Sequence, residues 1–169
     1  MQPRGEVSYS PRKGDVLMKL APLPVDMSEL CIALEAEPAD LRWFLDVTNG
    51  DVILVNVEYD PEEYAGLTVA DLERNTQRFS QVPSADPADM LGDMQAFAAQ
   101  LSDVQLQESL DLALSAPRPE RRFRAALGWL PDELDRWHSF RQRQCEDRAT
   151  LWLETLGITP SYRDVVTLS

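Results

Sequence analysis

The dipeptide Asn49-Gly50, set between two apolar runs, is the feature that most constrains how this chain can fold. A two-residue hairpin loop in a type I′ turn requires positive φ at both central positions, and Asn and Gly tolerate this best. The sequence therefore predicts a β-hairpin over residues 41–57. In the register that such a turn implies, the facing pairs are Val47 with Val52, Leu45 with Leu54 and Trp43 with Asn56. One face is apolar throughout and must be buried, whereas the other is half apolar and needs cover from a helix.

The second half of the chain has the pattern of consecutive helices. Helix starts are expected at Asp86-Pro87, at Ser102 with Gln105 as a capping box, at Pro119 and at Pro131, the last helix extending to about Leu156. Arg78 to Pro83 is expected to add an edge strand before them. Because short strands come first and helices second, the sequence predicts an α+β fold, in which a small antiparallel sheet with the Asn-Gly hairpin packs against a mainly helical C-terminal half.

The N-terminal segment differs from the rest in composition. Residues 1–14 are polar and rich in proline and glycine, and they are expected to form a disordered tail. Residues 15–169 contain no linker or repeat, so they are expected to form a single α+β domain. Within it, a short strand is expected over residues 16–20, followed by a helix that Asp26 caps and Pro38 ends.

The net charge is strongly negative but unevenly distributed. The chain has a formal charge of −13 and a sequence pI of about 4.4, which disfavours unspecific binding to nucleic acid or to an anionic membrane. From Pro117 to Arg148, however, eight arginines stand against six acidic residues, which leaves the rest of the chain with a net charge of −15. The protein is therefore predicted to be electrically two-sided.

The two cysteines, Cys31 and Cys145, have no metal-ligand spacing and fall on predicted apolar helix faces. The sequence has no run of about 18 apolar residues and no early run of signal-peptide character. The expected location is therefore a reducing cytoplasm, without a membrane partner.

The cluster Arg121-Arg122-Phe123-Arg124 is the most suggestive local feature, and two interpretations of it stay open. In the functional one, the arginines form a positive patch that binds an acidic partner, a phosphate or a nucleic-acid backbone. In the structural one, Phe123 faces the core while the arginines pair with neighbouring acids.

Arg141 stands out because it shares the apolar side of the last helix with Trp137 and Cys145. A charge in that position needs a partner or access to water. One interpretation pairs it with a carboxylate such as Asp93. The other stacks it on Trp137 at the mouth of a pocket.

No residue pattern indicates catalysis. His138 is the only histidine and lacks a surrounding signature, so a bystander role is favoured over that of a catalytic base. The phosphate-binding, metalloprotease, hydrolase and calcium-loop motifs are absent, and no cofactor or metal ligand is predicted. Whether the chain is an enzyme stays open, although the lack of a base or nucleophile favours a non-enzymatic role.

The order of several short motifs resembles a known family. These are Arg78-Phe79 with Pro83, Asp93-Met94 with Phe97, Arg122-Phe123-Arg124, Trp137 with Phe140-Arg141, and Trp152-Leu153. In this order they are similar to bacterial uncharacterised protein family 0158, over about Met27 to Ile158. The resemblance implies a bacterial origin and no established activity.

Two functional hypotheses follow from the residues. The first is a non-enzymatic cytoplasmic interaction or regulatory protein that binds a protein partner through an arginine and aromatic patch. The second is an enzyme or binder of a phosphorylated or nucleotide-like ligand held by arginines. The candidate binding residues are Arg121, Arg122, Phe123, Arg124, Trp137 and Arg141.

Overall fold

The computed structural model describes residues 20–37 and 41–161. The predicted tail over 1–14 and nearly all of the strand expected over 16–20 lie outside these residues. The helices are α1 (Met27–Glu35), α2 (Val69–Arg74), α3 (Pro87–Ala99), α4 (Val104–Leu114), α5 (Pro119–Leu127) and α6 (Pro131–Thr155), with a 3₁₀ helix at Pro61–Tyr64. The strands are β1 (Ala21–Leu23), β2 (Arg42–Asp46), β3 (Val52–Val55), β4 (Phe79–Gln81) and β5 (Ile158–Pro160). The predicted α+β fold is confirmed.

A three-stranded antiparallel sheet in the order β3-β2-β4 forms the first half of the fold. The predicted hairpin is β2 and β3, and the predicted edge strand is β4. The predicted register is wrong by two residues, since Leu45 faces Val52 and Trp43 faces Leu54. The loop has four residues instead of two, and of Asn49 and Gly50 only Gly50 has positive φ.

Asp46 explains the longer loop. Its buried carboxylate accepts hydrogen bonds from Thr48 N at 3.0 Å, Thr48 Oγ1 at 2.6 Å and Arg78 Nη2 at 2.9 Å. Burial raises the pKa of Asp46, but the hydrogen bonds from Arg78 and Thr48 outweigh this and hold that pKa below its usual value. The loop is thus closed around a carboxylate instead of in a type I′ turn.

The register shift is an even number of residues, so each side chain stays on its predicted face. Leu45 is fully buried on the face that packs against α1 and α6. The opposite face, where cover from a helix was expected, packs Phe44 and Ile53 against Leu72 of α2 and Phe79 of β4. Both faces of this small sheet are therefore covered.

A second, two-stranded sheet joins the two ends of the described chain and was not expected from the sequence. β1 and β5 pair in parallel, with Ala21 opposite Ile158 and Leu23 opposite Pro160. Leu23 and Ile158 are both buried in the same apolar cluster as Leu45. This pairing brings the N-terminal strand against the end of α6.

The predicted helix starts are largely confirmed. Asp86 caps α3 with Pro87 at the first position, and prolines open α5 and α6. The start predicted at Ser102 is wrong by one residue, because Asp103 caps α4 by accepting hydrogen bonds from Gln105 N and Leu106 N. Within the described residues, no helix is both long and apolar enough to cross a membrane.

Helices α3 to α6 enclose an aromatic cluster that we call the helical core. Its buried members are Met94, Phe97, Ala98, Leu101, Leu110, Phe123, Leu127, Trp137 and Phe140. The ring centroids of Phe123 and Trp137 lie 5.0 Å apart in an edge-to-face arrangement, and Phe97 lies 5.4 Å from Trp137. This core fixes which sides of α4 and α5 face outward.

Candidate protein-interaction surface

Helix α5 positions the predicted arginine cluster. Pro119 occupies its first position, where the fixed φ of proline suits a helix. Arg118, just before it, has left-handed backbone with φ of 56°, a conformation that non-glycine residues rarely adopt. Phe123 and Leu127 lie four residues apart and are fully buried in the helical core. One side of α5 is therefore anchored, and the other faces outward.

Arg121, Arg122 and Arg124 are exposed on the outward side of α5. Arg122 donates from Nε to the carbonyl oxygen of Pro117 at 2.8 Å, which ties it to the connection before the helix. Arg121 and Arg124 form no ion pair or side-chain hydrogen bond with any described residue. The described ion pairs thus give no support to the interpretation in which neighbouring acids neutralise these arginines.

Trp129 lies in the turn between α5 and α6 and is 87% exposed. Leu130, which follows it, is also exposed and its N–H donates to the carbonyl oxygen of Leu127 at 2.9 Å. Soluble proteins seldom leave so large an aromatic side chain in water, because tryptophan carries the largest apolar area of any residue. We refer to Arg121, Arg122, Arg124 and Trp129 together as the arginine–tryptophan surface.

Trp129 was not among the residues selected from the sequence. The available signal was a large apolar residue in the short segment Gly128-Trp129-Leu130 between two helices. Segments of that kind lie on the surface, so an aromatic residue there is unusual. The structure shows that Trp129 is exposed, which the sequence pattern alone does not specify.

The other two aromatic candidates lie in the interior. Phe123 and Trp137 are brought together in the helical core, where each is almost completely inaccessible to solvent. Trp137 therefore packs against the buried side of α5 and presents no open ring face to a ligand.

Arg141 pairs with a helix carboxylate, as one of the two interpretations expected, but the partner is Glu35 and not Asp93. Its Nη2 lies 3.0 Å from Oε2 of Glu35 on α1. Asp93 is instead held by Arg148, two helical turns further along α6, through two hydrogen bonds of 2.8 and 2.9 Å. No cation–π contact between Arg141 and Trp137 occurs in the described part of the chain. Arg141 thus joins α6 to α1, whereas the arginine cluster lies on α5.

Asp93 and Arg148 pair where α3 meets α6, so neither charge is buried there without a partner. Asp93 is one of the two buried acidic residues in the described segments. Its hydrogen bonds raise the pKa of the Arg148 guanidinium, although burial lowers it. The pair links α3 to α6 as a closed structural contact and offers no free charge to a ligand.

The most defined surface cavities lie apart from the candidate arginines, although Arg136 and Arg143 line one of them. The four most defined cavities on the described residues have volumes of about 100 to 400 Å³, and none of these four is lined by Arg121, Arg122, Arg124 or Arg141. The groove between α3 and α6, of about 250 Å³, has Phe97 and Phe140 among its lining residues.

The groups most suited to catalysis are dispersed. His138 is exposed on α6. Cys31 and Cys145 are buried free thiols, and the contact with Cys31 together with burial raises the pKa of Cys145 far above its usual value. Among residues 20–37 and 41–161, no three potential metal ligands converge.

Comparison with known proteins places these features in a family. The sequence matches the family described as Uncharacterised protein family (UPF0158) over residues 20–169. The chain belongs to this family. It is also 27% identical over 144 residues to UPF0158 protein PA5073 of Pseudomonas aeruginosa, covering 85% of this chain and 90% of that protein. No solved structure matches significantly.

The UPF0158 match includes every element described above, from β1 to β5, and with them the whole arginine–tryptophan surface. The family resemblance expected from the order of aromatic and arginine motifs is thereby confirmed. The description of the family names no activity, so function has to be argued from the surface itself.

Proposed function

We propose that the protein is a non-enzymatic interaction or regulatory protein that binds a protein partner through the arginine–tryptophan surface. The observation that carries the proposal is the 87% exposure of Trp129 at the end of a helix that presents three exposed arginines. Tryptophan and arginine are the residues most enriched at the energetic centres of protein interfaces. An acidic chain that concentrates its positive charge beside an exposed indole has a surface suited to a specific partner.

The shape of the surface favours a macromolecule over a small ligand. The arginines lie on the outer side of a helix, and the four cavities lie elsewhere. Small-molecule sites are concave and enclose most of the ligand. Arg141, the arginine that the ligand alternative places at the mouth of a pocket, is already paired with Glu35. These observations support partner binding over the alternative of a phosphorylated or nucleotide-like ligand.

The charge of the chain indicates the chemistry of the partner. Three arginines select an acidic surface, and guanidinium groups pair well with carboxylates. The net charge of −13 opposes the approach of nucleic acid to the chain as a whole. The proposed partner is therefore a protein with an acidic and partly apolar patch, met in a reducing cytoplasm where the buried thiols of Cys31 and Cys145 stay free.

The test is affinity purification of the tagged full chain from its native host, with and without nuclease, followed by mass spectrometry. The test variants are Trp129→Ala and the double variant Arg121→Glu with Arg124→Glu. Arg122 is left intact because it holds the carbonyl oxygen of Pro117. The control is Arg74→Glu with Arg143→Glu, which makes the same charge change at two exposed arginines of α2 and α6.

A stoichiometric protein that survives nuclease, is retained by the control and is lost with both test variants would support the proposal. All variants should keep nearly the wild-type thermal stability, because the substituted side chains are exposed. Equal binding by the wild type and both test variants would contradict it. Recovery of the tagged chain with neither an untagged copy of itself nor any other protein would also contradict it, and would favour the ligand alternative.

A further inference from the structure

Helix α4 exposes a face whose chemistry is opposite to that of α5. Val104, Glu108 and Leu112 follow one another at four-residue intervals, so they lie along one line of the helix. Val104 is 62% exposed and Leu112 is 74% exposed, and Glu108 and Asp111 are exposed between and beside them. We call Val104, Glu108, Asp111 and Leu112 the α4 acidic face. It has two negative charges and no basic residue.

The α4 acidic face and the arginine–tryptophan surface lie on neighbouring helices. α4 and α5 share the helical core, through Leu110 of one and Phe123 and Leu127 of the other. The connection between them, Ser115 to Arg118, has only four residues. Consecutive helices joined by two to five residues commonly pack antiparallel, and the arrangement proposed below has α4 and α5 antiparallel. A surface formed by this pair therefore has an acidic strip beside a basic strip: Val104 to Leu112 spans about 12 Å of α4, and Arg121 to Arg124 spans about 4.5 Å of α5.

We propose that the occupant of the arginine–tryptophan surface is the α4 acidic face of a second copy of this chain, in a two-fold symmetric dimer. The inference rests on the proposed function and names the partner. A two-fold axis parallel to the helix pair places α5 of one copy over α4 of the other, and the reverse contact forms at the same time. The basic strip of each copy then contacts the acidic strip of the other. No strip is left to bind a third copy, so the assembly closes at two subunits.

The spacing of the charges fits this arrangement. Glu108 and Asp111 are three residues apart, as are Arg121 and Arg124. An antiparallel crossing of the two helices pairs Glu108 with Arg124 and Asp111 with Arg121. Both pairs join one copy to the other.

The same crossing covers exposed apolar side chains at one end of the surface, Val104 and Trp129. Val104 precedes Glu108 by four residues, and Trp129 follows Arg124 by five, so the indole of one copy meets Val104 of the other. This contact removes the 87% exposed Trp129 from water. Burial of apolar area supplies affinity, and the charge pairs fix the register.

Two chains of charge −13 repel at long range, but salt limits this effect. At physiological ionic strength, charges more than about 8 Å apart are largely screened, whereas contacts between paired groups persist. We therefore expect the dimer at moderate salt and micromolar protein. The signature is a mass twice the monomer value of 19.1 kDa in sedimentation equilibrium.

The decisive experiment exchanges the charges. The α5 variant is Arg121→Glu with Arg124→Glu, and the α4 variant is Glu108→Arg with Asp111→Arg. Each variant alone places like charges opposite each other in both halves of the interface, and it should dissociate at least ten-fold more readily than the wild type. An equimolar mixture restores opposite charges in both halves and should form a heterodimer.

Val104→Lys and Leu151→Lys test the apolar contact with matched exposure, since both residues are 62% exposed. Only Val104→Lys should weaken the dimer. Circular dichroism and thermal unfolding of each variant exclude loss of fold as the cause.

Several results would overturn the inference. A monomeric wild type, a mixture of the two charge variants that stays monomeric, or masses that grow beyond the dimer with concentration would each do so. A monomeric wild type that still captures a stoichiometric partner through Trp129 would leave the proposed function standing. A dimer that persists in the α5 variant alone would place self-association on another surface.

Discussion

Gly50 offers the sharpest test of how the sheet packs on the N-terminal segment. It has φ of +85° and is buried in the β2–β3 loop. A Cβ at this position would lie 2.4 Å from the carbonyl oxygen of Pro24 and 2.8 Å from its carbonyl carbon. Both are backbone atoms and cannot rotate away. Gly50→Ala should therefore force the loop and the segment after β1 apart.

The magnitude has two parts. The left-handed backbone costs a residue with a Cβ about 1–2 kcal/mol, of which the reduced entropy of the unfolded chain returns up to about 1 kcal/mol. Overpacking against fixed atoms costs about 1–3 kcal/mol more. We expect Gly50→Ala to lower the free energy of unfolding by about 2–4 kcal/mol. Gly66→Ala is the matched control, because Gly66 has φ of +80° and nothing within 4 Å of the added Cβ.

Urea denaturation followed by circular dichroism measures both variants. With a slope of about 2 kcal/mol per molar urea, the midpoint of Gly50→Ala should fall about 0.5–1.5 M below that of Gly66→Ala. Equal midpoints would refute the reasoning, because the two variants share the backbone term and differ only in the contact with Pro24.

Three further predictions concern polar and strained groups. Asp93→Asn should lower the free energy of unfolding by about 2–3 kcal/mol in urea titrations, since it leaves the Arg148 charge unpaired, and Asp93→Leu with Arg148→Met should cost less. The pKa of Asp46 is lowered in the folded state, so the stability lost in Asp46→Asn should be constant above about pH 4 and shrink as the pH falls through the folded-state pKa, as unfolding at a series of pH values would show. The same loss at pH 3 and pH 7 would mean that the Arg78 contact does not depend on the charge of Asp46. Arg118→Gly should raise the free energy of unfolding by about 0.5–1 kcal/mol, because glycine adopts the left-handed backbone without penalty, and an unchanged free energy of unfolding would show that φ of 56° is not strained there.

The fold was predictable where the signals were local. Caps and prolines located α3, α5 and α6, and Asn49-Gly50 located the hairpin. The register was wrong because Asp46 is held by Arg78, which is 32 residues away in the sequence. The dipeptide Asn49-Gly50 carries no information about a hydrogen bond between Asp46 and Arg78.

The candidate site was predictable only in part, for the same reason. The arginines of α5 were visible in the sequence as a cluster. The partner of Arg141 was not, because Glu35 lies 106 residues away. The exposure of Trp129 depends on how α5 and α6 pack, and the spacing of apolar residues in the sequence does not predict it.

The pairing of β1 with β5 has a consequence for synthesis of the protein. A chain leaves the ribosome N-terminus first, and domains fold as their residues emerge. Residues 21–23 therefore emerge long before 158–160, their partners in the parallel pair. Until then Leu23 and Leu45 lack part of their buried surroundings, while β2 already has both of its neighbouring strands, β3 and β4. The nascent protein should thus hold a formed sheet with one open apolar face, a state in which a chaperone could bind it before the last strand closes the structure.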